Sequence, residues 1–364
     1  MDKIKGNFGF GCMRLPMIGD EVDIEQTIRM TDAFMAAGFN YFDTAHGYID
    51  GKSETALKAC LTSRYPRESY FLTNKLSGYF DKEEDIRPLF QSQLEACGVD
   101  YFDLYLMHAQ GQGNYGKYME CRAYEISLEL LKEGKIRHFG ISYHDNAEFL
   151  DKLLTEWEQI EAVQLQFNYI DFEDDDVQAR KCYEVCRKHG KQVIVMEPVK
   201  GGCLADLPEN AKCVFEALEG GSAASYAIRF AAGFEGVMMT LSGMGSMEMM
   251  NDNLSFMTDF KPLDEKEKAA VDTVVDILRK GNDIPCTGCR YCVEKCPQGI
   301  VIPEIFTCLN KKNRAKHFSY ERTLEKSESA KASECIRCGA CEAACPQHLK
   351  IRELLEECAK CLES

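Results

Sequence analysis

No apolar run in this chain approaches the roughly 20 residues that a membrane-spanning helix needs. The opening MDKIKGNFGFGCM also lacks the apolar stretch of a secretory leader. A cytoplasmic location without a membrane partner is the expectation. Positive charge is short as well: 43 Lys and Arg stand against 59 Asp and Glu, a net charge of −16. Such a surface repels phosphate backbones, so nucleic acid is not an expected partner. Solubility accounts for most of that charge, and docking of a basic redox partner is a second use for it. Between Gly233 and Phe260 there is no Lys or Arg at all.

What the chain does have is length and cysteine. Its 364 residues exceed the roughly 250–300 at which one core stops growing, so two domains are expected. Of 19 cysteines, 11 fall in residues 286–364 and only 8 in the 285 before them. With no sign of secretion, reduced thiols or metal ligation fit better than disulfides. The tail is therefore a separate, metal-dense module. The expected division is a first domain over 1–262, a bridging helix over 263–281 and a cysteine-rich, largely helical domain over 282–364.

Residues 1–262 alternate strands with helices. The strand-like segments are FGFGCM, FNYFDTA, YFLTNKL, FDLYLMHA, HFGIS, AVQLQFN, QVIVMEP and GVMMTLSG. Between them lie helical patterns such as DIEQTIRMTDAFMAAG, stopped by Gly38, and DKEEDIRPLFQSQLEACG, which opens on Asp81 and Glu84 as a capping-box-like pair. Eight βα repeats in about 260 residues imply an α/β fold, a (β/α)8 barrel. An open doubly wound sheet is the alternative, but it usually shows fewer strands and a glycine-rich first turn.

The tail carries C-x2-C-x2-C-x3-C-P twice, at Cys286–Pro297 and Cys335–Pro346. Two-residue gaps let one short loop place three thiolates around a face of a cubane, while the fourth cysteine points to the other cluster. Cys286, Cys289, Cys292 and Cys345 are then expected to hold one [4Fe–4S] cluster, and Cys335, Cys338, Cys341 and Cys296 the second. Zinc is the alternative, though it typically takes two C-x2-C pairs. Residues 282–350 resemble the bacterial ferredoxin module with an enlarged insert. The final Cys358 and Cys361 read as a buried or incidental pair. Exposed clusters would be oxygen-labile, which suggests an anaerobic setting.

Barrel active sites lie at the C-terminal ends of the strands. Here Asp43 ends FNYFD with Tyr48 five residues on, Lys75 ends YFLTNK and His108 ends DLYLMH. Singly, His108 reads as a core histidine and Asp43 as a helix cap; at successive strand ends they read as a site. At these residues the chain resembles the aldo-keto reductases: YFDTAHGY, TNK and LMH match that family's tyrosine, lysine and histidine positions. The resemblance implies a tetrad of Asp43, Tyr48, Lys75 and His108. Lys75 is expected to lower the Tyr48 phenol, Asp43 to hold Lys75, and Tyr48 to protonate a carbonyl oxygen as hydride arrives.

The resemblance also implies a nicotinamide site. Ser142 in GIS and Gln164 and Asn168 in QLQFN align with residues that hold the carboxamide. Met196 stands where the family usually has a stacking aromatic residue, with Glu197 beside it. In LSGMGSMEMMNDN, Ser242, Gly243 and Gly245 could present a helix N-terminus to a phosphate, but Asn251 takes the place of the usual arginine. That leaves NAD or NADP open. Arg14 is a candidate for an acidic substrate group or a phosphate, with a salt bridge to a neighbouring loop as the alternative. Because hydride carries two electrons and a cluster one, a barrel-bound FMN or FAD is a second expectation, with Lys200, Gly201 and Gly202 as its phosphate anchors. Three functions follow. One is a nicotinamide-dependent reductase of a small carbonyl (or dehydrogenase of its alcohol) with structural or regulatory clusters. Another is an enzyme fed by its clusters, and the last is an electron carrier whose barrel only binds a partner.

Overall fold

The computed structural model describes residues 1–218, 220–281, 284–310 and 316–363. The chain divides into two compact units, Met1–Val199 with Lys212–Thr273, and Lys200–Ala211 with Val274–Ser364.

The first unit is built on the eight apolar runs. They form β1 (Phe8–Gly11), β2 (Tyr41–Asp43), β3 (Phe71–Leu76), β4 (Phe102–Gln110), β5 (Ile136–Tyr143), β6 (Ala162–Gln166), β7 (Gln192–Met196) and β8 (Val237–Gly243). Each pairs in parallel with its neighbours in the chain, and β1 closes on β8 into a barrel. Closure rules out the open sheet. Such strands are buried on both faces, which is why they read as near-continuous apolar runs. Inside the barrel lie Tyr41, Phe71, Leu104, Leu106, Ile194 and Met239; Tyr41 and Phe71 stack with centroids 5.0 Å apart. Between strands and helices a second layer forms, in which Phe34 on the helix Ile24–Ala36 meets the Phe42 ring at 5.3 Å.

Register sets the strand ends side by side. Gly11 pairs with both Asp43 and Gly243, Asp43 with Thr73, and Lys75 with Leu106. The polar residues that end β2, β3 and β4 thus share one rim.

Helix starts differ in detail from the expected pair at Asp81 and Glu84. The helix runs Glu83–Cys97, and Asp85 closes its start, accepting from the N–H groups of Asp81 at 3.1 Å and Lys82 at 3.2 Å. Asp85, three positions past the cap residue Lys82, is the one whose side chain reaches back. The same helix ends at Gly98 in the left-handed conformation, φ 67°, which a side chain would strain.

In the second unit, short helices pack around Ile300, Ile302, Ile305, Phe306, Ile351 and Leu355. The segment IPEIFTCLN is helical over Ile302–Asn310, and Lys316–Ser327 is a further helix. Residues 282, 283 and 311–315 of the expected tail lie outside the described residues. Cys358 is buried and Cys361 half-buried on the helix Ile351–Leu362. Among the described residues no helix is long and apolar enough to cross a membrane.

Candidate functional site

At the barrel rim the four expected residues come together. Lys75, fully buried, places Nζ 2.6 Å from Asp43 Oδ1 and donates to the Thr44 carbonyl at 2.8 Å. The same Nζ lies 4.7 Å from the centre of the Tyr48 ring. The Tyr48 and His108 rings meet edge to face at 6.0 Å.

Electrostatics departs from expectation at Tyr48. Burial is the largest influence and raises its pKa well above 10, with the carboxylates of Asp43 and then Glu197 adding to it. Lys75 does not reverse this, because its charge is matched by Asp43 at contact distance. Lys75 itself is lowered by burial, against the pull of Asp43. His108 is pushed well below 6.5 by burial, then by Lys75 and His144. The phenol is therefore protonated and the imidazole neutral at neutral pH. Such a pair can donate a proton and a hydrogen bond to an oxygen that is gaining charge.

Two supports of the tetrad give little sequence signal. Ser77 Oγ lies 2.6 Å from His108 Nδ1, so the ring's other nitrogen, Nε2, is left to face a ligand. Behind Lys75 runs a buried chain. Glu54 holds His46 Nδ1 at 2.9 Å and Asn74 Nδ2 at 2.8 Å, and Asn74 Oδ1 accepts the Lys75 backbone N–H. The signal for Glu197 was a carboxylate at a strand end, the same logic that found Lys75.

The expected cofactor residues divide. Gln164 Nε2 donates to the second oxygen of Asp43 at 3.0 Å, joining the tetrad from β6. Ser142 Oγ accepts the Ala109 N–H at 2.7 Å and keeps its own proton to donate. Asn168 is used by its own turn: Nδ2 donates to Asp171 and to the Glu197 carbonyl, and Oδ1 accepts from Ile170 and Asp171. It holds Glu197 in place rather than offering an amide to a ligand. Met196 ends β7, half-buried. Ser242 accepts from Asn253 at 2.9 Å. Gly243 and Gly245 form a turn on which Arg14 lies; a Cβ on Gly243 would stand 3.4 Å from Arg14 Cδ. The helix Met247–Met257 starts beyond it, with the Met247 N–H on Gln26 and the Met249 N–H on Ser246. Lys200 and Gly201 are grouped with the second unit, where Lys200 Nζ donates to Gln347 Oε1 at 2.8 Å. Tyr118, in the segment after His108, is buried with its hydroxyl donating to the Leu76 carbonyl.

The cysteines gather as their spacing requires. Cys286, Cys289, Cys292 and Cys345 line one small cavity, and Cys296, Cys335, Cys338 and Cys341 line another. Ile302 forms part of both walls. Each loop makes the same two left-handed turns, at Gly288 and Arg290 in the first and at Arg337 and Gly339 in the second. The left-handed conformation recurs at matching positions, two and four residues past the first cysteine; glycine takes it freely, and Arg290 and Arg337 hold it only because their surroundings do. Four thiols around a cavity fit a cubane cluster, which is held by four thiolates.

Comparison with known proteins agrees with both halves. The chain matches the Aldo/keto reductase family over residues 7–276 and a 4Fe-4S dicluster domain over 285–349. An aldo-keto reductase of Mycobacterium avium is 29% identical over 157 residues, 41% of this chain and 51% of the relative. The glyoxal reductase of Bacillus subtilis is 29% identical over 187 residues, 50% of this chain and 63% of the relative. The chain thus spans about half to two thirds of the length of these curated relatives. Among solved structures, an aldo-keto reductase of Klebsiella pneumoniae in complex with NADPH superposes with a TM-score of 0.61 at 20% identity, over 74% of this chain and 90% of that one. Aldo-keto reductase AKR11C1 of Bacillus halodurans gives a TM-score of 0.61 at 24% identity, over 74% and 91%; at these identities the likeness is one of fold. With the family match covering most of the chain, and the barrel and rim residues in place, this protein belongs to the aldo/keto reductase family and carries a 4Fe-4S dicluster domain behind its barrel.

Proposed function

We propose that the barrel reduces a small carbonyl compound to its alcohol, with Tyr48 as the proton donor. The observation that carries this is the contact set of Lys75, which joins Asp43 at 2.6 Å and lies 4.7 Å from the Tyr48 ring centre. A bound nicotinamide dinucleotide supplies the hydride. Tyr48 passes its hydroxyl proton to the carbonyl oxygen as the carbon receives that hydride, so the product is the neutral alcohol. His108 Nε2 orients the oxygen. Lys75 steadies the charge left on the phenolate, and Asp43 keeps Lys75 in place. The Gly243–Gly245 turn and Arg14 are the groups suited to the dinucleotide's phosphates. The relative solved with NADPH supports the cofactor class; the absence of Lys and Arg from 233–260 leaves Arg14 as the cation of this turn.

As to the flavin alternative, Lys200, one of its expected anchors, already donates to Gln347 Oε1. Coupling of the clusters to the barrel chemistry has one supporting observation. Four residues beyond the end of β7, the chain already belongs to the unit that holds the cysteines. The test uses glyoxal, the compound in one relative's name, with NADH and with NADPH. Tyr48→Phe should cut reduction by about 10²–10⁴; unchanged turnover would remove the tetrad from the reaction. A Cys289→Ser, Cys338→Ser protein that still turns over fully on NADPH would place the clusters outside the catalytic path.

A further inference from the structure

One segment of the cluster unit comes from the middle of the chain: Lys200–Ala211, which follows β7. Its first residue is a lysine only 5% exposed. Lys200 Nζ donates to Gln347 Oε1 at 2.8 Å. Gln347 follows Cys345 by two residues, and both line the cavity of Cys286, Cys289 and Cys292. The next residue seals the contact. Gly201 holds φ 64°, and a Cβ there would stand 2.5 Å from the carbonyl oxygen of Thr287, another residue of that wall. Cys203 Sγ reaches the Cys286 carbonyl at 3.9 Å. The second cavity is walled by residues between Cys296 and Leu355. It opens beside Ile336, 58% exposed, and the exposed Cys338.

The two cysteine motifs have the same spacing, so the motifs themselves do not make the clusters differ. Their surroundings do. Gaining an electron makes a cluster more negative by one charge, and a cation held in a poorly polarisable interior favours that form far more than one in water. Local charge and solvent exposure are among the influences that set cluster potentials.

We propose that Lys200 is a potential-setting residue: held by Gln347 beside the cavity of Cys286, Cys289, Cys292 and Cys345, it raises that cluster's reduction potential above the other's. An electron taken from a one-electron redox protein at the cluster of Cys296, Cys335, Cys338 and Cys341 (the outer cluster, by the exposure of Cys338) then passes to the Lys200-side, inner cluster. The outer cluster is reoxidised by one electron as the Lys200-side cluster is reduced by one. The inference rests on the dicluster domain and is independent of the carbonyl chemistry.

The test is an EPR-monitored redox titration of the full-length, anaerobically reconstituted protein, with iron and sulfide determined on each sample. Cys338→Ser identifies the outer cluster by its altered signal. Lys200→Met should lower the ratio of reduced to oxidised inner cluster at a given potential by about tenfold. Tenfold is a shift of about 59 mV for one electron. The outer cluster should not move, and Lys200→Arg should restore the wild-type value. Gln347→Glu, which keeps Lys200 and places a negative charge against it, should shift the same cluster in the same direction. It serves as the test should Lys200→Met not load iron. An unmoved inner potential, or an equal shift of both, overturns the proposal. A wild-type protein without iron or sulfide would overturn the dicluster assignment instead.

Discussion

Lys75 Nζ lies 2.6 Å from Asp43 Oδ1 with both side chains shut away from solvent, and Gln164 occupies the carboxylate's other oxygen at 3.0 Å. A buried pair of this kind is held together less by net attraction than by the cost of leaving either member alone. Asp43→Leu should therefore destabilise the protein by about 3–5 kcal/mol in a urea melt. The double variant Asp43→Leu, Lys75→Met should recover most of that stability and none of the activity. If the double variant is as unstable as the single, the pair is not what the fold depends on there.

A second prediction concerns direction and pH. Tyr48 is held protonated by burial and by Asp43 and Glu197. The acid needed for carbonyl reduction is thus always present, whereas the phenolate needed to accept a proton from an alcohol is scarce at neutrality. Reduction should vary little between about pH 6 and 8, while alcohol oxidation should rise about tenfold per pH unit. His108, pushed well below 6.5, should leave no break near that pH in kcat/KM. A reduction profile with a clear bend at 6–7 would mean that His108 titrates and shares the acid role.

His46 gives a stability signature. Its hydrogen bond to Glu54 is the largest influence on it and raises its pKa above 6.5, with burial opposing. A group whose folded pKa is raised contributes stability that is complete below its unfolded value and disappears as pH climbs through the folded one. The urea midpoint should fall from about pH 6.5 upward, and His46→Gln should flatten that portion of the curve. An identical curve for the variant would show that the pair contributes nothing.

Arg14 should matter to the dinucleotide. Arg14→Ser is expected to weaken NADPH and NADH binding by about tenfold to a hundredfold, the effect of losing a hydrogen bond to a charged group. A discrepancy between the two cofactors would locate Arg14 nearer the 2′-phosphate; equal losses point to the pyrophosphate. Titration of cofactor fluorescence reads both.

Much of this is legible in the chain itself. Parallel strands buried on two faces leave unbroken apolar runs, so the eight strands announced themselves, and Asp43, Lys75 and His108 stood out as polar residues ending three of them. The cysteine spacing groups Cys286, Cys289 and Cys292 with Cys345, and Cys335, Cys338 and Cys341 with Cys296, the same groups that line the two cavities. Ser77, Glu54 and the engagement of Gln164 with Asp43 were not visible, because each depends on neighbours 31, 20 and 121 residues apart that only strand register brings together. The direction of the Tyr48 pKa is hidden for a related reason: in sequence Lys75 reads as a bare cation, without the carboxylates and burial that surround the ring. A lysine before two glycines after a strand reads as a phosphate anchor, and nothing local tells that its amine donates to Gln347, 147 residues away.

The excursion of residues 200–211 into the cysteine-rich unit has a practical corollary. The two units are interleaved along the polypeptide, not strung end to end. By the same token, a gene cut after residue 273 would leave Leu204 and Leu207, 1% and 7% exposed here, stripped of the unit they belong to, and the shortened product should be prone to aggregate.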